Sequence, residues 1–533
     1  MRAGTGSSGF GKMYLTRRRF LKAGGAAVAA PLLLRRAGAA EAAHNRLRHL
    51  PGLDARDSGA FTLTAQRGET AFIAATPSGT MGFNQPYLGP LIRVRPGAST
   101  RATVENRAGR SISVHWHGLL VTGEVDGGPH NVIAAGEIWR PLLPIDQPPA
   151  TLWYHTHLHR ETAEAVYGGL AGVLIIDDGQ DRARGLPATE GIDDLVLVLQ
   201  DKRFDDGGRM VYRPEQADIL HGFLGDTLLV NGTPRPRATV PAGIVRLRLL
   251  NASNGRNFDL SFDDGRGFAL IATDQGLVHR PIELAALRLT PGERAEILVD
   301  FAAGGAALVS RPHTETEGAG GMPHAMVPLV DPFAEPFEVV SFAVDPDLPV
   351  AVAATPAVLG PEISAPATPG TTRRFVLNDM GMAMGAAPVG AMPTDGGASG
   401  NAGHVMGGAM MAPVAGDPAM SDIFAINGQP FDAGRIDFTT APGSVERWIV
   451  SGEMMGHPFH AHGARMLVVN ENGGPPRPEN RGWKDTVFVE GEVEMVVQIP
   501  HPATTDRPFM FHCHVLEHED RGMMGQFAVS TSA

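Results

Sequence analysis

The chain has 533 residues, a single cysteine and a formal net charge of −12. One cysteine excludes an internal disulfide, so stability has to come from packing, and the acidic balance argues against a nucleic-acid partner. The length is too great for one domain and suits about three, while 66 Gly and 42 Pro with few long apolar periodic runs suggest many short strands joined by turns.

The first forty residues read as a targeting segment. Thr16-Arg17-Arg18-Arg19-Phe20-Leu21-Lys22 precedes a weakly apolar run from Ala23 to Leu34, and Ala37-Gly38-Ala39 offers small residues for cleavage. Residues 1–40 look like a twin-arginine (Tat) signal, which implies the Tat export machinery as a partner and a bacterial periplasm as the location. A dozen apolar residues cannot span a bilayer, and no later run is long enough, so no stable membrane anchor is expected. The segment holds eight Lys or Arg and no Asp or Glu, so its removal takes the charge from −12 to −20. Such a chain suits cationic substrates, although solubility is the better explanation of the charge as such.

A faint repeat follows, in which an Asn-Gly or Gly-Pro turn leads through a strand and a Pro or Gly into an alternating apolar strand. It is seen from Gly89-Pro90 to Pro96-Gly97, from Val230-Asn231-Gly232 to Leu249, and from Ile426-Asn427-Gly428 to Ile449. Three repeats predict three similar all-β domains, Greek-key sandwiches or barrels. Composition places them at 41–180, 190–345 and 370–533, with a Pro- and Ala-rich linker at 346–369.

Histidine pairs punctuate the first and third of these. His115-Trp116-His117 and His155-Thr156-His157 lie early, and His457-Pro458-Phe459-His460-Ala461-His462 supplies a third pair and a spare. The fourth pair brackets the only cysteine, in His512-Cys513-His514-Val515-Leu516-Glu517-His518-Glu519-Asp520-Arg521-Gly522-Met523. Along a strand each His-x-His projects two imidazoles from one face, so His512 and His514 point one way and Cys513 the other. Thiolate, imidazoles and a thioether form the ligand set of a blue copper, with two His and a Cys in plane and a Met on the axis. Cys513 can bind one copper while its neighbours bind others. Between Met380 and Met420 there are eight methionines among Gly, Ala and Pro. Thioether sulfur selects Cu(I), so the segment 380–420 is read as copper-handling, against the alternative of flexible apolar filler.

These motifs resemble those of the multicopper oxidases, over nearly the whole chain after residue 40. Within that family HWHGLLVTGEVD (His115 to Asp126) and HCHVLEHEDRGMM (His512 to Met524) look most like the bacterial copper-efflux oxidases. The resemblance implies three cupredoxin-like domains and four copper ions: one type 1, one type 2 and two type 3. It implies His457, Cys513, His518 and axial Met523 for type 1, and His115 with His460 for type 2. For the type 3 pair it implies His117, His155, His157, His462, His512 and His514. Asp126 and Glu519 match the family's proton-relay acids, catalytic as general acids; the alternative for Asp126 is a carboxylate capping the turn Val125-Asp126-Gly127-Gly128. A substrate Cu(I) site is matched to Asp379, Met380, Glu453 and Met455. Glu453 stands where an Asp is usual, and the first half aligns only with a gap.

The function these features imply is a monomeric periplasmic enzyme oxidising Cu(I) to Cu(II) while reducing O2 to water, in copper tolerance. A laccase-like oxidase of phenols or aromatic amines is the alternative, and a non-catalytic copper-sequestering protein on the same fold ranks below both.

Overall fold

The computed structural model describes residues 44–531 apart from 74, 314–329, 367–368, 380–422 and 453–454. The export segment, Met380, Glu453 and the methionine-rich stretch 380–420 therefore lie outside the described residues, as does the side chain of Asp379, whose backbone closes the strand Thr371–Asp379.

Six sheets pair into three cupredoxin-like domains. In the first, the strands Gly52–Asp54, Leu91–Val94, Ala171–Ile176 and Ala150–His155 face a sheet built on Pro77–Phe83, Ala60–Ala71 and Ser99–Arg107. Alternation drives this: Ala60–Ala71 buries Phe61, Leu63 and Ala65 and leaves the intervening residues outside. Those side chains meet Ile92, Leu174 and Ile176 of the facing sheet in one core. The middle domain packs the strands Asp194–Phe204, Ile244–Asn251 and Arg294–Asp300 over Phe258–Phe262, Ala306–Arg311 and Phe337–Val344. The third sets Thr371–Asp379, Ser444–Gly452 and Glu492–Ile499 against Met524–Val529, Phe509–Cys513, His457–Ala461 and Thr486–Val489. Its core holds Trp448, Phe459, Phe511 and Phe527 together with Cys513 and Met523.

The internal repeat has a physical basis in three asparagines. In each domain the first long strand runs parallel to a later one: Ala60–Ala71 beside Ser99–Arg107, Asp194–Phe204 beside Ile244–Asn251, and Thr371–Asp379 beside Ser444–Gly452. One left-handed Asn clamps that first strand each time. Asn231 (φ +51°) accepts the Val198 N–H and donates to the Val196 carbonyl; Asn427 (φ +55°) does the same with Val376 and Arg374. In the first domain the equivalent is Asn84 (φ +61°), on Thr64 and Thr62. The first copy of the repeat thus starts upstream of Gly89-Pro90, at an Asn followed by Gln rather than Gly. Asn and Gly tolerate positive φ, and a short amide can satisfy two strand groups at once.

Among the described residues helices are few and short; Thr162–Gly168 has seven residues. Among the described residues no helix is long and apolar enough to cross a membrane.

Asn231 is buried and also donates to the Arg48 carbonyl. Asn231→Ala should destabilise the chain by roughly 3 kcal/mol, because buried strand groups lose their partners and alanine dislikes positive φ. Asn231→Gly, which relieves only the φ cost, should recover part of the lost melting temperature in calorimetry.

Candidate metal centres

Two strand pairs deliver the histidines. His115 and His155 exchange backbone hydrogen bonds (2.8 and 3.1 Å), which sets the pairs 115/117 and 155/157 side by side at the end of the first domain. In the third domain His460 lies opposite His512 and Phe459 opposite Cys513 on adjacent antiparallel strands. The alternation read along His512-Cys513-His514 is therefore realised: Cys513 enters the third domain's core, and its neighbours face the first domain.

Where the domains meet, the His-x-His pairs cross. His115 stacks on His462 and His117 on His460, each at 3.7 Å between centroids. His157 Nε2 lies 3.1 Å from His512 Nε2, and His115 Nε2 lies 3.4 Å from His460 Nε2. His117, His155 and His514 form another group, with centroids 5.1–5.6 Å apart. All eight rings are buried.

The ring nitrogens sort themselves by partner. A carbonyl can only accept, so the ring nitrogen beside it carries the proton. Nδ1 of His115 donates to the Asp126 carbonyl, His155 to Thr156, His460 to Asp485 and His512 to Cys513, at 2.8–3.1 Å. His462 Nδ1 donates to the Asp126 carboxylate at 2.7 Å. In these five rings the lone pair is left on Nε2. His117 is reversed: its Nε2 donates to Asp485 Oδ1 (3.0 Å) and Thr486 Oγ1 (3.1 Å), leaving Nδ1. His117 Nδ1, His155 Nε2, His462 Nε2 and both nitrogens of His514 are buried without a hydrogen-bond partner. A buried lone pair with no donor is costly, and a cationic acceptor is the chemistry that relieves several converging ones. The residues fit metal ions.

Electrostatics agrees with lone-pair donors. Burial pushes His117, His155, His157, His460 and His512 well below the usual imidazole range, and neighbouring imidazoles push further. Burial takes His462 to about 4 and His514 to about 3.

The second centre is His457, Cys513 and His518. Nδ1 of His457 and of His518 lie 3.4 and 3.7 Å from Cys513 Sγ, all three residues being buried. His518 Nε2 donates to the Leu220 carbonyl at 3.0 Å, turning Nδ1 toward the sulfur. Met523 is buried in the same core and is tied to both ligands through backbone bonds: Cys513 N–H to its carbonyl, and its N–H to the His518 carbonyl.

Asp126 ends a short helix, Gly123–Asp126, that Gly127 terminates at φ +87°. Its carboxylate turns to the histidines, 2.7 Å from His462 Nδ1 and 3.4 Å from His115 Nδ1. Burial opposes its charge, yet those rings hold it below the usual carboxylate range. Glu519 lies 3.4 Å from His157 Nδ1 and 3.3 Å from His512 Nδ1; burial raises it well above the usual range, and Asp520 adds to the rise. Of the four residues matched to a substrate ion, Met455 alone has a described side chain, and it is buried. Of the unassigned histidines, His130 meets Gln526 Oε1 at 2.7 Å, His313 Nδ1 accepts the Asn257 N–H at 2.9 Å, and His159 packs against Phe431. His324 and His404 lie outside the described residues.

Sequence reasoning missed Asp485 and Thr486, which orient His117 and His460, and Arg294, which grips Asp485. The available signal was Lys484-Asp485, two charges directly before the apolar strand Thr486–Val489.

Multicopper oxidase family models match residues 64–181 and 408–533. The cell division protein FtsP of Edwardsiella tarda is 38% identical over 97% of this chain and 99% of its own length. FtsP of Salmonella typhimurium is 36% identical over 98% and 100%, and that of Escherichia coli 35% over 97% and 99%. Among solved structures, the laccase-like multicopper oxidase CueO of Ochrobactrum sp. superposes with a TM-score of 0.76 at 37% identity, covering 91% of this chain and all of the other. McoA of Aquifex aeolicus gives 0.74 at 27%, covering 92% and 100%.

The division-protein relatives correct two expectations. The ligand motifs and the family resemblance predict an enzyme oxidising Cu(I) in copper tolerance, with phenol oxidation or bare copper sequestration as alternatives. Curated proteins that match this chain end to end at 35–38% identity are named for cell division instead. The assignment as an oxidase enzyme falls with it, because those relatives are named for division and not for oxidation. The physical reason is that imidazole and thiolate spacing reports which ion can be held, and is silent on turnover.

The buried neutral rings make the metal-free chain acid-sensitive. In the unfolded chain His117, His155, His157, His460, His462, His512 and His514 take up protons near pH 6.5, in the folded one only far lower, so the unfolded state binds more protons in between and stability falls as pH falls. His462 alone should cost about 3 kcal/mol between pH 6.5 and 4. The melting temperature of the metal-free protein should drop steadily across that window; a flat profile would contradict rings held neutral.

Proposed function

We propose, from the premise that this chain belongs to the multicopper oxidase family, that it is a non-catalytic, copper-holding protein of the bacterial envelope that acts in cell division. One observation carries the reading: its end-to-end identity with FtsP of three enterobacteria. The Tat-like sequence of residues 1–40 supports export to the periplasm.

In this reading copper is structural. Type 1 copper takes His457, Cys513, His518 and Met523; type 2 takes His115 and His460; the type 3 pair takes His117, His155, His157, His462, His512 and His514. Four ions result. Asp126 and Glu519 act as carboxylates that orient ligand rings and balance the ions' charge. Because the cluster ligands come equally from the first and third domains, copper clamps one to the other, and its binding energy becomes folding energy.

Expression of this chain in Escherichia coli lacking FtsP should restore normal septation, read as the distribution of cell lengths. His460→Ala/His512→Ala, which removes ligands from the cluster, should complement less well and melt several degrees lower, as should the wild type after chelation. Failure to complement, together with normal division when the gene is deleted from its own host, would refute the division role.

A further inference from the structure

The middle domain contributes no group to any candidate metal cluster among the described residues, yet it reaches the cluster through one buried ion network. Arg294 is fully buried and every one of its N–H groups is used. Nη1 and Nη2 grip the two oxygens of Asp485 at 2.6 and 2.5 Å. The same nitrogens donate to the carbonyls of Gly292 and Asp274 at 3.0 Å each, and Nε donates to the Thr151 carbonyl of the first domain at 3.2 Å. Asp274 takes the Arg294 N–H on Oδ1 (2.8 Å) and the N–H groups of Asp485 and Thr486 on Oδ2 (3.3 and 3.2 Å). Lys484 pairs with Asp274 at 3.2 Å and with Glu293 at 2.9 Å. Gln275 Nε2 donates to Asp485 Oδ2 (2.7 Å) and to the Gly118 carbonyl (2.8 Å).

All of this converges on one segment, Lys484-Asp485-Thr486, and through it on two rings. The Asp485 carboxylate takes the proton of His117 Nε2, and the Asp485 carbonyl takes that of His460 Nδ1. Gly118, the residue after His117, leaves the room required: it sits at φ +86°, where a Cβ would lie 2.5 Å from Asp485 Oδ2 and 2.7 Å from Arg294 Nη2. Rotation of Asp485 away from His117 would cost both arms of the Arg294 fork and the Gln275 bond together. A carboxylate so held can only accept, so His117 is locked with its lone pair on Nδ1, the reverse of the five rings that expose Nε2.

We infer that the middle domain, through Arg294, Asp274 and Gln275, positions Asp485 so that His117 and His460 present fixed lone pairs to copper, making a domain without metal ligands the one that sets how tightly the cluster is loaded. This rests on the copper reading given above. Residues that orient a ligand ring typically account for a 10- to 100-fold difference in metal affinity.

The test is copper titration of the full chain and of two variants, Asp485→Asn and Gln275→Leu. Asp485→Asn keeps the shape but presents an amide that can donate to His117 and loosens the Arg294 fork. Gln275→Leu removes one donor to Asp485 without stranding a charge, and serves if the first variant does not fold. Copper per chain, cluster affinity, the visible band of the Cys513 centre and the metal-free melting temperature are read together. We expect the Cys513 band to persist at wild-type intensity while cluster affinity falls at least 10-fold in Asp485→Asn and less in Gln275→Leu. Wild-type cluster affinity in a folded variant, or an affinity loss that merely follows a lowered metal-free melting temperature, would overturn the positioning role. A wild-type chain that takes up no copper at the histidines would instead overturn the copper reading beneath it.

Discussion

Eight imidazoles that share one buried interface, five of them proton-locked on Nδ1 by an oxygen acceptor, impose the constraint on which the rest of the structure depends. Each locked ring turns a lone pair inward, and for His155 and His462 no protein donor meets it. Without cations such an interface is a liability: polar atoms have been desolvated and left unsatisfied. With the copper proposed above it becomes a clamp. The crossed stacking of His115 on His462 and His117 on His460 shows how the two halves mirror one another, the His-x-His of one domain interleaved with that of the other.

Holding the rings in those tautomers requires fixed acceptors, and the middle domain braces one of them, Asp485. Buried ion pairs are poor sources of net stability, because the desolvation of each charge offsets most of the attraction. Their value is geometric. The paired N–H groups of Arg294 fix a planar carboxylate in position and orientation in a way that a single ammonium could not. Another interdomain network, in which Arg246 and Arg248 share Glu296, Asp181 and Asp194 with Thr151 nearby, fastens the middle domain to the first and touches no ring of the histidine cluster. Two similar sets of charges thus do different things, and position alone separates them.

The comparisons bear on how far a site determines a role. Solved oxidases at 27–37% identity share this fold, and proteins named for cell division match at 35–38% over the full length. Proteins named for oxidation and proteins named for division thus share one fold and much of one sequence. The fold offers a rigid interface between two domains; what that interface is used for depends on surfaces and partners outside it.

Much was legible from the sequence by local rules. The His-x-His spacing and the period of two along a strand placed His512 and His514 opposite Cys513, and the Asn-Gly turns announced two of the three repeats. Asn84 escaped because its conformation, not its neighbour, carries the repeat, and the following residue is Gln. Tertiary structure alone decided which ring nitrogen of each histidine is exposed, since that depends on acceptors such as the Asp126 carboxylate, 336 residues from His462, and Asp485, 368 residues from His117. Arg294 and Asp485, 191 residues apart, are likewise an ordinary arginine and aspartate until packing brings them together. Side-chain periodicity is a property of the local backbone, whereas proton placement and charge pairing are properties of whatever the fold sets opposite, and no local pattern encodes that.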